Sequence, residues 1–420
     1  MSTEPETQPI TEVLAFTEDS WADGPPNGLF ARMRGECPVH WSPEMPDFPE
    51  EAGYWSVTKY DDIHAVSRDW ETYSSEIGGI TAITDGILPL ELSQAMFIGM
   101  DPPKHDRLKA LFQRGFTPRR IAEHGDEIRE VTRNVLDRLD GVEECDLVEA
   151  VAQPVVSRVI CRFMGLPPED DQMWAELMNS VMTAGDDAVN PEGPQIVQER
   201  IIPEIFQRCQ ALIEDRRANP TDDLTSVLVH AEIDGEKLED HEIVMGFFLL
   251  MAAGNDSTKA TYCSAMRAIL EDPEQRQLLL DDPSLVPMAV EEALRMFPAF
   301  AHFRRTATED TVLNGTEIKK GDKVVMWYVS SNRDAEHFDD PDTFDLRRSP
   351  NDHQAFGGGG RHYCLGTALA RLELKTLIEE SLRYYPEMEI AGEPKYIVSG
   401  FVNQLRTLPV RLGPKAIQAT

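Results

Sequence analysis

The residue in the most unusual chemical setting is Cys364. It closes the stretch Phe356–Gly366, FGGGGRHYCLG, in which four consecutive glycines and a histidine precede the thiol. Glycine lets a backbone take positive φ and approach another group closely. An amphipathic helical pattern starts directly after the thiol, with apolar Leu365, Leu369, Leu372, Ile378 and Leu382. A cysteine at a helix N-terminus meets free N–H groups and the positive end of the dipole, which favour its thiolate. The same N–H groups can donate to a sulfur bound to a metal and tune it. Taken alone, the segment fits a glycine-rich turn with a buried structural cysteine better. The other cysteines, Cys37, Cys145, Cys161, Cys209 and Cys263, are scattered with no C-x-x-C pair. They form neither a zinc pattern nor a disulfide framework, and read as small core residues in a reducing compartment.

A second unusual stretch, Ala253–Thr258 (AGNDST), interrupts an apolar helical run. Glycine and four polar residues inside a buried helix are locally costly. Such a violation points either to a proton relay, a carboxylate beside a hydroxyl, or to a kink whose hydroxyls bond the preceding turn. The two readings weigh about equally. Glu292 and Arg295 stand at i, i+3 on one helix face and can pair, as many solvated surface residues do. His241-Glu242 lacks the second histidine of H-E-x-x-H, because Met245 stands there, so a zinc hydrolase is disfavoured. No phosphate-binding or dinucleotide glycine fingerprint is present.

These groups need a scaffold, and the chain is long enough to supply one. It has 420 residues, 41% of them hydrophobic, and 40 basic against 74 acidic side chains leave a net charge of −34. That charge disfavours duplex DNA and anionic membranes as main partners. The most apolar run, 243–253, is short of the roughly 20 residues that span a bilayer. The polar, acidic start shows no signal segment, so the expected location is the cytoplasm. Residues 1–26 read as a loose N-terminal arm and 27–420 as a single domain, mainly α with minor β. Helical patterns cover 61–70, 105–114, 121–139, 153–164, 170–182 and 196–217. A long central helix over 240–270 follows, then helices at 285–296 and 365–385. Residues 53–60 are β-rich, and 78–90 read as a loop. Strands are expected at 312–313 and 324–329, with a turn at Asn314-Gly315, and as a final pair within 396–412.

The motifs run in a fixed order: DPPKHDRLK at 101–109, AGNDST at 253–258, EALR at 292–295, FRRTATED at 303–310, then FGGGGRHYCLG. In that order they resemble the cytochrome P-450 family over nearly the whole chain. The resemblance implies that family's fold, with a long central helix over a haem b (iron protoporphyrin IX), and a monooxygenase that uses O2 as co-substrate. Cys364 would be the axial thiolate that promotes O–O cleavage, set among Phe356, Gly357 and Gly366. His105, Lys109, Arg305 and His362 match the positions that hold the haem propionates. Ala253 and Gly254 would let haem and oxygen lie close to the central helix. Glu292 and Arg295 match the family's buried structural pair, completed by Arg347. Asp256 and Ser257 fall on its proton-delivering acid–alcohol pair.

Three positions depart from the family pattern. Ser257 replaces the usual threonine, and the adjacent Thr258 can share its role. Lys109 replaces the commoner arginine, so a bidentate contact becomes a point charge. Phe356 lies eight residues before Cys364, one more than usual, as in bacterial members that oxidise steroids, terpenes and branched lipids. The expected substrate pocket comprises the 78–98 loop with Ile83, residues 178–183, Leu249 and Ala253, residues 298–302 with Ala299, and Phe401 and Val402. These residues are largely apolar, which implies an apolar substrate of terpenoid, steroid or fatty-acid-like type. The chain is expected to be a monomer fed with electrons by a separate ferredoxin and its NAD(P)H-dependent reductase. Arg107, Lys109, Arg114, Arg119, Arg120, Arg361, Arg371 and Lys375 offer that carrier a basic face. Two other readings are a peroxide-driven peroxygenase, against which Asp256-Ser257 argues, and a haem-bearing binding or sensor protein without turnover.

Overall fold

The apolar run at 243–253 lies within a 32-residue helix, Asp240–Glu271. At 1.5 Å per residue this central helix is about 48 Å long. The computed structural model of the chain describes residues 9–416 apart from 84–88, 183–189, 194 and 234. The helix starts at a capping box, in which the Glu239 N–H donates to Glu242 Oε2 at 2.9 Å. It is buried on all sides because helices Gln153–Met164, Asp171–Met182, Ile202–Ala218, Val286–Met296 and Thr367–Tyr384 pack around it. Gly246 permits one close approach, since a Cβ there would lie 1.9 Å from Phe112 Cζ. Among the described residues no helix is long and apolar enough to cross a membrane.

Beside the helices lies a five-stranded sheet of β1 (Val39–Ser42), β2 (Tyr54–Val57), β3 (Tyr73–Ser74), β4 (His302–Ala307) and β5 (Lys323–Trp327), in the order β1-β2-β5-β4-β3. The β2/β5 pair is parallel and the other neighbours are antiparallel. Strand β5 is central and buried throughout, as its run KVVMW requires. It ends at Trp327, two residues before the expected Val329, and Tyr328–Ser331 turns helically. The expected Asn314-Gly315 turn joins Thr311–Leu313 to Thr316–Ile318. Its φ values of 47° and 78° are the two positive φ angles of a hairpin turn that only Asn, Asp and Gly enter easily. The strands near the C-terminus do not pair with each other as one unit. Lys395–Tyr396 pairs with Leu405–Thr407, whereas Pro409–Arg411 joins Glu389–Ile390 and Glu144–Asp146.

The described part of the expected N-terminal arm is not loose. Val13, Ala15, Phe16 and Trp21 are buried. The Trp21 ring stands 5.5 Å from that of Trp327 and 6.1 Å from that of Phe30, and its Nε1 donates to Ala15 O at 3.1 Å. Aromatic burial on the sheet fixes a segment whose polar composition reads as mobile. The helix expected over 121–139 is also broken, into Pro118–Glu123 and Gly125–Asp137.

The buried pair on Val286–Met296 is real, but its third member is Arg348 and not Arg347. Arg295 donates to Glu292 through Nε and a terminal nitrogen, both at 2.8 Å. Arg348 Nε donates to both Glu292 oxygens at 3.1 Å. Arg347 is exposed; its backbone N–H bonds Asp345 Oδ1 at 2.9 Å, which turns its side chain outward and aims the next one inward.

Candidate functional site

Cys364 is placed by a loop that only glycine can build. Gly357, Gly359 and Gly360 have φ of 102°, 92° and 81°. Gly358 presses on the helix Tyr60–Arg68, where an added Cβ would lie 2.9 Å from Ser67 Cβ. Ser67 Oγ donates to Gly359 O at 2.8 Å, and the Cys364 N–H returns to Phe356 O at 3.0 Å. The loop therefore folds back on itself and delivers the thiol just before helix Thr367–Tyr384. The Cys364 side chain is open in surface area, but that area faces a cavity inside the protein. Burial consequently raises the thiol above its ordinary pKa, against the Gly366 N–H and the charges of Lys109 and Arg371, which lower it.

The cavity contains about 1420 Å³ of empty space, part of it open to solvent, between the central helix and the cysteine loop. His105, Lys109, Arg305 and His362 all line it. Lys109 Nζ donates to the carbonyls of Arg361 and Tyr363, the latter at 2.7 Å, so it also braces the cysteine loop. The rings of His105 and His362 are 4.2 Å apart, and His362 Nε2 lies 3.3 Å from Ser75 Oγ. Burial and the neighbouring Arg305, His105 and Lys109 push His362 well below its ordinary pKa. Arg305 is 4% exposed and bonds Arg304 O at 2.8 Å; it makes no ion pair among the described residues. A buried guanidinium without a counter-ion, beside an ammonium and two imidazoles, is a site for anionic oxygens. The donor set fits a carboxylate-bearing group that fills the cavity.

Across from the thiol, the central helix turns Leu249, Ala253, Gly254, Ser257 and Thr258 into the cavity. Gly254 is also a packing glycine, because a Cβ there would lie 2.8 Å from Ile160 Cδ1. Ser257 Oγ donates to Ala253 O at 2.7 Å, the back-bond typical of a helical hydroxyl. Asp256 does not accompany it into the cavity. It lies on the helix flank, where Lys259 Nζ sits 2.5 Å from Oδ1 and Asn255 Nδ2 3.3 Å from Oδ2. Lys259 in turn donates to Gln153 Oε1 at 2.7 Å and Asn179 Oδ1 at 2.8 Å. Consecutive helical residues point about 100° apart, so the acid and the alcohol face different neighbours.

The carboxyl group that does line the cavity is Glu373. It is 3% exposed and accepts from Thr258 Oγ1 at 2.9 Å, and burial pushes its pKa up to about 8. Its sequence signal is position: it falls four residues after Leu369 and four before Leu377, on the buried stripe of its helix. A charged residue on an apolar stripe is expensive and often functional.

A second, apolar chamber adjoins the first and shares Ile98, Leu249, Ala253, Phe300 and Phe303 with it. Ile80, Met182 and Phe401 also wall it, while Ala299 lines the first cavity. Two expected pocket residues stand elsewhere. Ile83 packs on the aromatic cluster around Trp21 and Trp327, and Val402 is buried core, bridged to Phe300 through the backbone. Thr183 lies outside the described residues. The basic face is largely neutralised. Arg107 pairs with Glu236 and Glu242, Arg119 with Glu123, Arg120 with Asp222, Arg361 with Asp106, Arg371 with Glu291 and Lys375 with Glu379. Arg114 is exposed and forms no ion pair among the described residues.

Behind the chamber wall, burial lowers the pKa of His302 to about 4, with the charge of Arg304 adding to the effect. Between pH 6.5 and about 4 the unfolded histidine binds a proton that the folded one refuses. Stability therefore falls as pH drops through that window, by about 3 kcal/mol in total. Urea unfolding at several pH values should show a smaller loss in His302→Leu than in wild type, because buried histidines such as His362 still contribute theirs in both.

A family profile for cytochrome P-450 matches residues 195–396. A methyl-branched lipid omega-hydroxylase of Mycobacterium tuberculosis is 38% identical over 97% of this chain and 96% of its own length. The chain belongs to the cytochrome P-450 family. A steroid C26-monooxygenase of Mycolicibacterium smegmatis is 35% identical over 90% of this chain and 88% of its own. Among solved structures, a Mycobacterium marinum cytochrome P-450 in complex with pseudoionone superposes with a TM-score of 0.86 at 36% identity, covering 92% of this chain and 94% of that one. The protein is accordingly a cytochrome P-450 monooxygenase that acts on apolar substrates, with haem b as cofactor and O2 as co-substrate.

Proposed function

We propose that this cytochrome P-450 hydroxylates an unactivated carbon of a terpenoid, steroid or fatty-acid-like lipid. Cys364 would bind the haem iron, and a ferredoxin with its NAD(P)H-dependent reductase would supply the electrons. One observation carries the reading: a thiol, a buried arginine with a lysine and two imidazoles beside it, and an apolar chamber all meet at the same cavity. The methyl-branched lipid and steroid oxidations named for the two relatives suit that chamber. The haem, when bound, supplies the oxidising chemistry.

The chain's own residues divide the remaining tasks. Cys364 offers sulfur, with the Gly366 N–H favouring its charged form. His105, Lys109, Arg305 and His362, which line the cavity, would hold the haem propionates. Leu249, Ala253, Ala299 and Phe401 exclude water and present carbon to carbon, so affinity comes from buried apolar area. With a pKa of about 8, Glu373 is protonated at neutral pH. By reversing the 2.9 Å bond it now accepts from Thr258, it can donate its proton to Thr258 Oγ1 as the hydroxyl turns its own proton to the cavity, while Ser257 and Asp256 are occupied by Ala253 O and Lys259. An acidic carrier would meet Arg114, which is exposed and forms no ion pair among the described residues.

The test is product formation under labelled dioxygen with NADH, ferredoxin and reductase. Label in the hydroxyl of the product is expected, which a sensor or a peroxide-driven enzyme does not give. Glu373→Gln should slow product formation on the order of 10²-fold, with NADH still consumed. Asp256→Asn should do less. A fully active Glu373→Gln beside an inactive Asp256→Asn would restore Asp256-Ser257 as the relay.

A further inference from the structure

His302 belongs to none of the motifs above and does not line the cysteine cavity. It lies on β4 opposite Trp327 and is 3% exposed. Its ring joins two loops from distant parts of the chain. The Ala82 N–H donates to Nε2 at 2.9 Å, and Nδ1 lies 2.7 Å from Gly400 O. A backbone amide can only donate and a carbonyl can only accept. Nε2 is therefore unprotonated, and Nδ1 carries the proton of a neutral ring whose tautomer the two backbones fix.

Both loops wall the apolar chamber, Ile80 and Thr81 from one side and Phe401 from the other. The Phe401 ring stands 5.5 Å from the His302 ring at 69°. It also meets Phe300 at 5.1 Å and Phe303 at 5.6 Å, the two aromatics shared between chamber and cavity. Each loop has its own backbone anchor beside β4, Arg304 N–H to Ile80 O and Ala301 N–H to Phe401 O, both at 2.7 Å. The imidazole bonds the two loops to each other. An aliphatic side chain would fill the same space without burying two polar nitrogens, whose desolvation only those two bonds offset.

We propose that His302 is a positioning residue that sets the width of the apolar chamber. It latches the 78–83 loop to the 399–402 turn and so selects which apolar molecules reach the cavity. This deepens the monooxygenase reading and rests on it, since the chamber selects substrates only if the cavity beside it holds the haem.

Three variants separate the two bonds. His302→Asn keeps a donor for Gly400 O, His302→Gln keeps an acceptor for the Ala82 N–H, and His302→Leu keeps neither. The probes are imidazole, which needs only the cavity, and 1-dodecylimidazole, whose tail must enter the chamber. Both are titrated into the haem-loaded protein by their Soret shift. The ratio of the two dissociation constants should change about tenfold in His302→Leu and by less in the other two. Imidazole affinity alone should not change. Amide exchange at Ala82 should quicken in His302→Leu and His302→Asn but not in His302→Gln. A ratio within about twofold of wild type in all the folded variants overturns the latch, and so does unchanged Ala82 exchange. If His302→Leu does not fold, the Asn and Gln variants still decide the question. If wild type shows no thiolate-type carbon-monoxide spectrum, the haem reading fails instead, and Ala82 exchange tests the latch separately.

Discussion

Replacing Cys364 by serine is expected to abolish oxygenated product while leaving the folded protein nearly as stable as wild type. The thiol points into open space rather than into packed core, so exchanging sulfur for oxygen removes almost no packing. The glycine loop around it is held by backbone bonds such as Cys364 N–H to Phe356 O, which serine preserves. What disappears is a soft, ionisable donor, since a serine hydroxyl stays protonated where a thiol can give a thiolate. Product assays and thermal unfolding of the same preparation check both halves. A variant that still makes product removes Cys364 from the chemistry, and one that fails to fold makes it a core residue.

The second large effect concerns stability. Glu292 is fully buried and accepts from Arg295, Arg348, Asn351 and the Asp345 N–H. Glu292→Ala leaves the buried Arg295 guanidinium without its anion and should cost about 3–5 kcal/mol. Arg295 also holds the carbonyls of Asn332, Pro341 and Thr343, so the loss should spread through the segment before the cysteine loop and reduce haem retention. The neighbouring arginines give the sharper contrast. Arg348→Ala should cost about 3 kcal/mol, as one arm of the same buried network, whereas exposed Arg347→Ala should stay within about 0.5 kcal/mol. Denaturant unfolding of the pair decides which arginine completes the cluster, and equal effects would contradict the geometry.

What could be read from the sequence follows the physics of each part. The long helices are legible because a buried surface imposes a 3.6-residue period, as in Gln153–Met164, which occupies its expected range. The cysteine loop is legible only through the fixed order of the other motifs, because a glycine-rich turn before a thiol taken alone fits a structural cysteine better. The Arg347/Arg348 shift is not, because the meander has no period and one turn decides which side chain points inward. The split between Asp256 and Ser257 depends on helix rotation and on Lys259, Gln153 and Asn179, which come together only in three dimensions. Glu373 left a trace as an acid on an apolar stripe. His302 fell in the expected 298–302 pocket segment, but its bonds left no trace, since its partners are backbone groups 220 and 98 residues away in sequence.

The central claim is that Cys364 presents its sulfur to a haem in this cavity, although His105 and His362 line the same space. The measurement that tests it most directly is the difference spectrum of the reduced, haem-loaded protein on adding carbon monoxide. A Soret band in the position of thiolate-ligated haem is the predicted result. A band in the position of histidine-ligated haem would contradict it.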